Sequence, residues 1–214
     1  MGQRLASLFA GTLLAARGIG AAAQYPAVMA RNRADAVPAL QHSLAGAAWH
    51  RLDDGVMGGR SSTAHSARDG ALVFAGTINT DGGGFASVRS SPVSLGPTVT
   101  GVRVRYKGDG KTYKLLLSNG GGGGPFGRSP SWQHDIATKA GEVTTATYPI
   151  SDFVPSFGGR SAQPRAGAKL AVADVSQVGF MLSLKLSNGG DNPPGTFGRG
   201  IFGFELVVED VEFV

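Results

Sequence analysis

Residues Gly101–Lys107, with the sequence GVRVRYK, indicate the fold class. Apolar and basic residues alternate along this stretch, with Val102, Val104 and Tyr106 set against Arg103, Arg105 and Lys107. Successive side chains of a strand point to opposite faces of its sheet. The alternation therefore predicts a strand with one buried face and one solvent-exposed face.

Similar strand signals recur on both sides of this stretch, separated by turn residues. We predict further strands at residues 71–78, 85–93, 111–118, 132–138, 143–150, 180–186 and 202–208. These make about eight strands, with at most one short helical turn near residues 151–153. Because the chain shows no helices to cross over between parallel strands, we predict an all-β fold, an antiparallel β-sandwich or jelly roll.

Composition excludes several other classes. Glycine accounts for 34 of the 214 residues, and cysteine is absent. A helical bundle would not tolerate that glycine content, at about 1 kcal/mol for each glycine in a helix interior. The lack of cysteine excludes disulfide scaffolds, thiolate metal sites and cysteine nucleophiles.

The net charge of +5 comes mostly from the first 34 residues, which contain four arginines and no acidic residue. The rest of the chain has 16 basic and 15 acidic residues, so the charge does not indicate a nucleic-acid partner. An acid-free, alanine-rich, arginine-bearing segment is typical of an organelle transit peptide. We predict such a peptide at 1–34 and a single β-sandwich domain at 35–214. A secretory signal or an ordinary tail are the alternatives, and the apolar run is too short for a transmembrane segment.

Motifs for nucleotide, metal or nucleophile chemistry are weak. Gly110-Lys111-Thr112 resembles the end of a phosphate-binding loop, but Arg105 stands where that loop requires glycine. A hairpin turn over residues 108–111 explains this segment better. The histidines are isolated in sequence, at positions 42, 50, 65 and 134. We therefore predict no catalytic residue, no cofactor and no metal, and we expect the glycine-rich segments 119–130 and 187–200 to be flexible solvent loops.

Asp53-Asp54 is the densest acidic feature and begins the segment DDGVMGGRSS. The two carboxylates could serve acid–base chemistry, bind calcium with loop carbonyls, or accept backbone N–H groups to hold the loop. The third interpretation is favoured, because aspartate commonly plays this part in turns. Met57 is either an exposed contact or a core residue.

Phe85, Ser87 and Arg89 lie at alternate positions of a predicted strand and therefore share a face. An arginine at such a position can form a bidentate pair with a carboxylate, and Asp53 or Asp54 is an available partner. Anion binding is the alternative role for Arg89.

Six blocks of the sequence, in order, resemble a known family: Trp49 with residues 53–62, then 72–76, 83–89, 108–115, 148–153 and a Gly-Phe-rich last strand. The chain resembles the complex I intermediate-associated protein family, assembly factors of mitochondrial NADH:ubiquinone oxidoreductase. The resemblance implies a galactose-binding-like β-sandwich. It also implies a non-enzymatic chaperone in mitochondria that binds subunits of complex I assembly intermediates, peripherally at the inner membrane. The glycine loop at 120–124 departs from the family by its length.

Three alternatives stay open. Related domains in plastids imply a protein aiding photosynthetic complex biogenesis. A carbohydrate- or small-ligand-binding module would expose aromatic residues on its open face, with Trp132, Tyr106 and Tyr113 as candidates. An enzyme would bring Asp53, Asp54 and Arg89 together in an open pocket.

For an assembly factor we expect partner contacts in the loop that follows Trp49 and on the neighbouring strand, although a strand edge could equally receive a partner strand. The candidate residues are Asp53, Asp54, Val56, Met57, Gly58, Gly59, Arg60, Ser61, Phe85 and Arg89.

Overall fold

All eight predicted strands occur in the computed structural model, in two antiparallel sheets. The structure describes residues 41–42, 47–118, 130–157, 160–161 and 169–214. The predicted transit peptide at 1–34 and the glycine loop at 120–124 lie outside these residues. The described residues belong to one compact unit, Ala36–Val214.

The first sheet has six strands, numbered in chain order over the whole molecule: β1 (Gln41–His42), β3 (Ser62–Arg68), β4 (Ala71–Asn79), β6 (Gly101–Lys107), β9 (Val143–Pro149) and β13 (Ile201–Phe213). Their order is β3-β4-β13-β6-β9, and β1 pairs with the end of β13. The C-terminal strand thus lies in the middle of the sheet.

The second sheet has seven strands: β2 (Trp49–Arg51), β5 (Phe85–Ser90), β7 (Thr112–Ser118), β8 (Ser131–Ala137), β10 (Val154–Phe157), β11 (Arg160–Ser161) and β12 (Gln177–Ser183). Their order is β11-β10-β8-β7-β12-β5-β2. The described residues therefore contain five strands beyond the eight predicted, namely β1, β2, β3, β10 and β11.

Short helical segments are more numerous than predicted. The turn expected near residue 151 is a 3-10 turn at Ile150–Asp152. Further segments are the 3-10 turns Asp54–Met57 and Val172–Asp174 and a four-residue helix, α1 (Pro194–Phe197). The expectation of at most one was wrong, because these turns carry no helical periodicity. Among the described residues, no helix has the length and apolar character needed to cross a membrane.

The core lies between the two sheets and confirms the alternation in β6. Val102, Val104 and Tyr106 are buried there, whereas the three basic residues between them are exposed. Phe74 and Phe204 meet edge to face with ring centroids 4.9 Å apart. The antiparallel β-sandwich is thus confirmed.

The hairpin predicted over residues 108–111 is wrong. The strand before it, β6, belongs to the six-stranded sheet, and the strand after it, β7, belongs to the seven-stranded sheet. The side chain of Asp109 accepts hydrogen bonds from the Tyr113 hydroxyl, at 3.0 Å, and from the Glu205 amide, at 3.1 Å. This turn therefore connects the two layers.

The segment 187–200 is packed against the sandwich, contrary to the expectation of a flexible solvent loop. The Asp135 carboxylate accepts hydrogen bonds from the Ser187 amide and hydroxyl. The Asn192 side-chain amide donates to the backbone carbonyls of Thr112 and Ser183, and Phe197 is buried. The other predicted loop, 119–130, lies outside the described residues except for its last residue.

Candidate functional site

Asp54 is the buried anchor of the loop in which we expected partner contacts. Only 1% of its surface is exposed. Its carboxylate accepts hydrogen bonds from the Ser61 amide (2.8 Å) and hydroxyl (2.6 Å), the Gly84 amide (2.6 Å) and the Phe85 amide (3.3 Å). One side chain therefore fixes both ends of its own loop and joins the loop to the start of β5.

The glycines around Asp54 make room for it. A Cβ atom on Gly59 would lie 2.3 Å from Asp54 Cγ, and one on Gly83 would lie 2.2 Å from Asp54 Oδ2. Gly58 ends the 3-10 turn with φ of 87°, a conformation that favours glycine. The glycine spacing of this segment thus follows from packing around one carboxylate.

Asp53 holds the loop on the other side. Its carboxylate accepts hydrogen bonds from the Thr63 amide at 3.0 Å, from the Thr63 hydroxyl, and from the Ser87 amide at 3.4 Å. Both aspartates are thus hydrogen-bond acceptors that hold the loop, the interpretation favoured from the sequence. Since N–H and O–H donors occupy both carboxylates, the pair does not fit a calcium site. The described residues contain no cluster of three or more potential metal ligands.

Val56 and Met57 form an exposed apolar tip on this anchored loop. They stand on the 3-10 turn Asp54–Met57, with 57% and 61% of their surfaces exposed. Arg60, which follows the turn, is exposed as well. Of the two interpretations of Met57, a place in the core is wrong, because the side chain is exposed. We call Val56 and Met57 the apolar tip.

Arg89 does not pair with the loop aspartates, so the expected bidentate ion pair was wrong. Its Nη1 donates to the Val88 carbonyl at 3.3 Å, and among the described residues Arg89 forms no ion pair. The reason is geometric, because loop amides and hydroxyls already occupy the carboxylates of Asp53 and Asp54. The enzyme alternative required these three residues to converge, and among the described residues no ion pair joins Arg89 to either aspartate.

The predicted common face of Phe85, Ser87 and Arg89 is confirmed by the strand register. These three residues stand opposite Ser183, Met181 and Gly179 of β12. They lie on the face of the seven-stranded sheet that points away from the core, which we call the outer face. The loop residues predicted for partner binding, 53–61, come together beside Phe85, whereas Arg89 lies further along this face.

Two residues of the outer face were missed by the sequence analysis. Lys114 of β7 and Gln133 of β8 are 3% and 2% exposed, and Lys114 Nζ donates to Gln133 Oε1 at 3.0 Å. The available signal was a lysine within the apolar run of β7, TYKLLLS. The sequence analysis predicted a strand at residues 111–118 but assigned no role to this lysine.

Burial perturbs the cationic groups of the outer face. It lowers the pKa of Arg89 to about 10. It also lowers the pKa of Lys114 to about 8, an effect that the nearby Asp135 partly opposes. The pKa of His50, which stands opposite Arg89 in β2, is lowered by burial and by the charges of Arg89 and His65.

The aromatic residues considered for sugar stacking are inside the protein. Trp132, Tyr106 and Tyr113 are 9%, 2% and 0% exposed and belong to the core between the sheets. The Tyr106 hydroxyl lies 2.8 Å from that of Tyr148. The expectation that these residues line an open binding face was wrong, because their strand positions point inward.

Residues 40–206 match the family Complex I intermediate-associated protein 30 (CIA30). The chain belongs to this family. The matched region contains the strands β1 to β12 and the anchored loop with its apolar tip, and it ends within β13.

Among curated proteins, no sequence matches this chain. Several solved structures resemble it. The family 11 carbohydrate-binding module of the cellulosomal cellulase Lic26A-Cel5E of Clostridium thermocellum is 14% identical, with a TM-score of 0.49 over 78% of this chain and 86% of that one. PfGH50B is 10% identical, with a TM-score of 0.48 over 80% of this chain and 23% of that one. A family 29 carbohydrate-binding module is 12% identical, with a TM-score of 0.41 over 78% and 77% of the two chains. At these TM-scores the likeness has no bearing on ligand or function.

Proposed function

We propose that this CIA30-family protein is a non-enzymatic assembly factor for respiratory complex I, NADH:ubiquinone oxidoreductase, which binds assembly intermediates of that complex. The observation that carries the proposal is the family match over residues 40–206, which includes most of both sheets.

The anchored loop supplies a suitable contact surface. Exposed apolar side chains on a rigid support are typical of protein interaction sites. Val56 and Met57 are such side chains, and the four hydrogen bonds to Asp54 hold their support in place. Methionine adapts its shape to a partner at little cost, which suits a factor that must later be released.

The proposal includes a cellular location. The acid-free, arginine-bearing segment 1–34 would direct the protein into mitochondria, where it would act peripherally at the inner membrane. A plastid location would instead favour a role in photosynthetic complex biogenesis, and the experiment below separates the two.

The test is a deletion strain of the source organism complemented with the tagged full-length chain. We expect deletion to reduce mature complex I on native gels, and the tagged chain to restore it. We also expect complex I subunits to co-purify with the tag from the mitochondrial fraction. Normal complex I in the deletion strain, together with recovery of no complex I subunit, would overturn the proposal. Recovery of the chain from plastids would support the alternative.

A further inference from the structure

The outer face of the seven-stranded sheet contains two buried cationic side chains whose charges are not paired. Arg89 and Lys114 are 8% and 3% exposed. Within the described part of the chain, neither forms an ion pair. A buried charge without a partner is costly, so charged side chains that are fully buried are normally paired.

Arg89 lies across a bare stretch of the neighbouring strand. A Cβ atom on Gly179 would stand 2.7 Å from Arg89 Cδ and 3.0 Å from its Nη1. Any side chain at residue 179 would therefore displace the guanidinium group. Gly179 stands between Arg89 of β5 and Leu116 of β7, so Arg89 extends over β12 towards β7.

Lys114 and Gln133 border the same patch from the other side. Gln133 stands opposite Leu116, in the row of residues that contains Gly179 and Arg89. Lys114 belongs to the adjacent row, and its Nζ reaches the side chain of Gln133. Gly179 and Gln133 are two strand spacings apart, roughly 10 Å. The guanidinium and the ammonium groups thus flank one small patch over Leu116.

No carboxylate of the described residues lies within ion-pair distance of either cation. All of the chain's 15 acidic residues except Asp35 lie in the described ranges. Asp135, the nearest to Lys114 by strand register, accepts its hydrogen bonds from Ser187 and lies beyond ion-pair distance. The counter-charge is therefore best supplied from outside the chain.

We propose that Arg89, Lys114 and Gln133 form a binding site for a small oxyanion ligand, one that carries a carboxylate or a phosphate group. The planar guanidinium group can donate two parallel hydrogen bonds to such a group. Lys114 adds a point charge, and Gln133 orients it. A small ligand fits better than a protein surface, because both cations are more than nine-tenths buried. This site is independent of the assembly role proposed above.

The test measures binding to the purified full-length protein by calorimetry, together with its thermal unfolding temperature. The probes are inorganic phosphate and succinate, which separate a phosphate from a carboxylate ligand, with chloride at equal ionic strength as the reference. We expect at least one of the two probes to bind saturably and to raise the unfolding temperature. If neither binds to the wild-type protein more than chloride does, the proposal is overturned.

Two variants separate lost binding from lost folding. Arg89→Lys keeps the positive charge but loses the two parallel N–H donors of the guanidinium group. We expect this substitution to weaken binding by about tenfold. Lys114→Met removes an unpaired buried charge, so it should abolish binding while raising the unfolding temperature of the ligand-free protein. The control is Arg103→Lys, on the exposed face of the other sheet, where Arg103 pairs with Glu212. Unchanged binding in both Arg89→Lys and Lys114→Met would overturn the proposal, and it would leave the complex I experiment unaffected.

Discussion

At the scale of single residues, we expect the largest loss of stability from substitution of Asp54. Its carboxylate accepts four hydrogen bonds while almost completely buried. In Asp54→Asn an NH2 group replaces one acceptor oxygen, which leaves buried donors facing another donor. Since each buried unsatisfied group costs about 1–3 kcal/mol, we expect the free energy of unfolding to fall by about 3 kcal/mol. Urea denaturation would measure the change as a lower midpoint.

The matched control for Asp54→Asn is Asp81→Asn, in the neighbouring loop. Asp81 is exposed, so the same chemical change should alter the free energy of unfolding by less than about 0.5 kcal/mol. Equal effects of the two substitutions would show that Asp54 does not hold the loop.

Because Lys114 is buried, we expect an unusual pH dependence of the free energy of unfolding. Burial lowers its pKa from 10.5 to about 8 in the folded protein. Between these values the unfolded chain binds more protons, so the free energy of unfolding rises with pH in that window. At about 1.4 kcal/mol per pKa unit, the full rise is on the order of 3 kcal/mol.

The measurement for Lys114 is urea denaturation at intervals from pH 8 to pH 10. The upper end is set by Tyr113 and Tyr148, because burial raises their pKa values and their ionisation destabilises the fold at higher pH. Of the other titratable groups on this face, His50 has a pKa lowered by burial and stays neutral throughout the window, and Arg89, whose pKa burial lowers to about 10, begins to titrate only at its upper end. Lys114→Met should flatten the profile, and a profile as steep as that of the wild type would contradict the assignment.

The environments of some single residues could be predicted from the sequence, and those of others could not. The role of Asp53 and Asp54 was predictable, because aspartate in a glycine-rich turn finds amide donors nearby in sequence. The surroundings of Arg89 were not, since they depend on Gly179, which is distant in sequence and lies opposite Arg89 only after β5 and β12 pair. Hydrogen bonds between residues close in sequence can be predicted from the sequence, whereas the neighbours of a residue across paired strands cannot.

At the scale of elements, two of the strands that were missed, β3 and β10, were missed for different physical reasons. Beta-strands at an edge bury little, so β3, with the sequence STAHSAR and mostly exposed side chains, needs no apolar alternation. β10 contains Pro155, a residue that normally argues against a strand. The central strand β12 was predicted only as a strand at residues 180–186, and Met181 and Ser183 are buried on its outer face as well as the core residues on its inner face.

Substitutions in the apolar tip should weaken partner binding without changing the free energy of unfolding. Val56 and Met57 are more than half exposed, so their replacement by serine should leave the free energy of unfolding within about 0.5 kcal/mol. The double variant Val56→Ser, Met57→Ser should nevertheless recover less of the complex I subunits in the co-purification described above. Mass spectrometry of the tagged complexes, normalised to the tagged chain, provides the measurement.

Ile201→Ser is the control for the apolar tip, because Ile201 is also apolar and is 72% exposed at the start of β13. It removes a similar exposed side chain from a position outside the loop. If Ile201→Ser weakened recovery while the double variant did not, the contact surface would lie on the six-stranded sheet and not at the tip.

At the scale of the whole molecule, the last residues of the chain hold the six-stranded sheet together. β13 lies between β4 and β6, and near its end it also pairs with β1. Val211 and Phe213 are buried in the core, at 0% and 2% exposure. The six-stranded sheet therefore depends on residues beyond position 206, where the family match ends.

A chain that ends at Glu209 tests this dependence. It loses Val211, Phe213 and the pairing of β13 with β1 and with most of β6. Deleting a buried valine and a buried phenylalanine costs about 5 kcal/mol together, which is comparable to the whole stability of an ordinary domain. We expect the truncated protein to be largely unfolded by near-UV circular dichroism, whereas Asp210→Asn, an exposed change in the full-length chain, should fold normally. A cooperative unfolding transition in the truncated protein at the wild-type temperature would show instead that β4 and β6 hold the sheet without the end of β13.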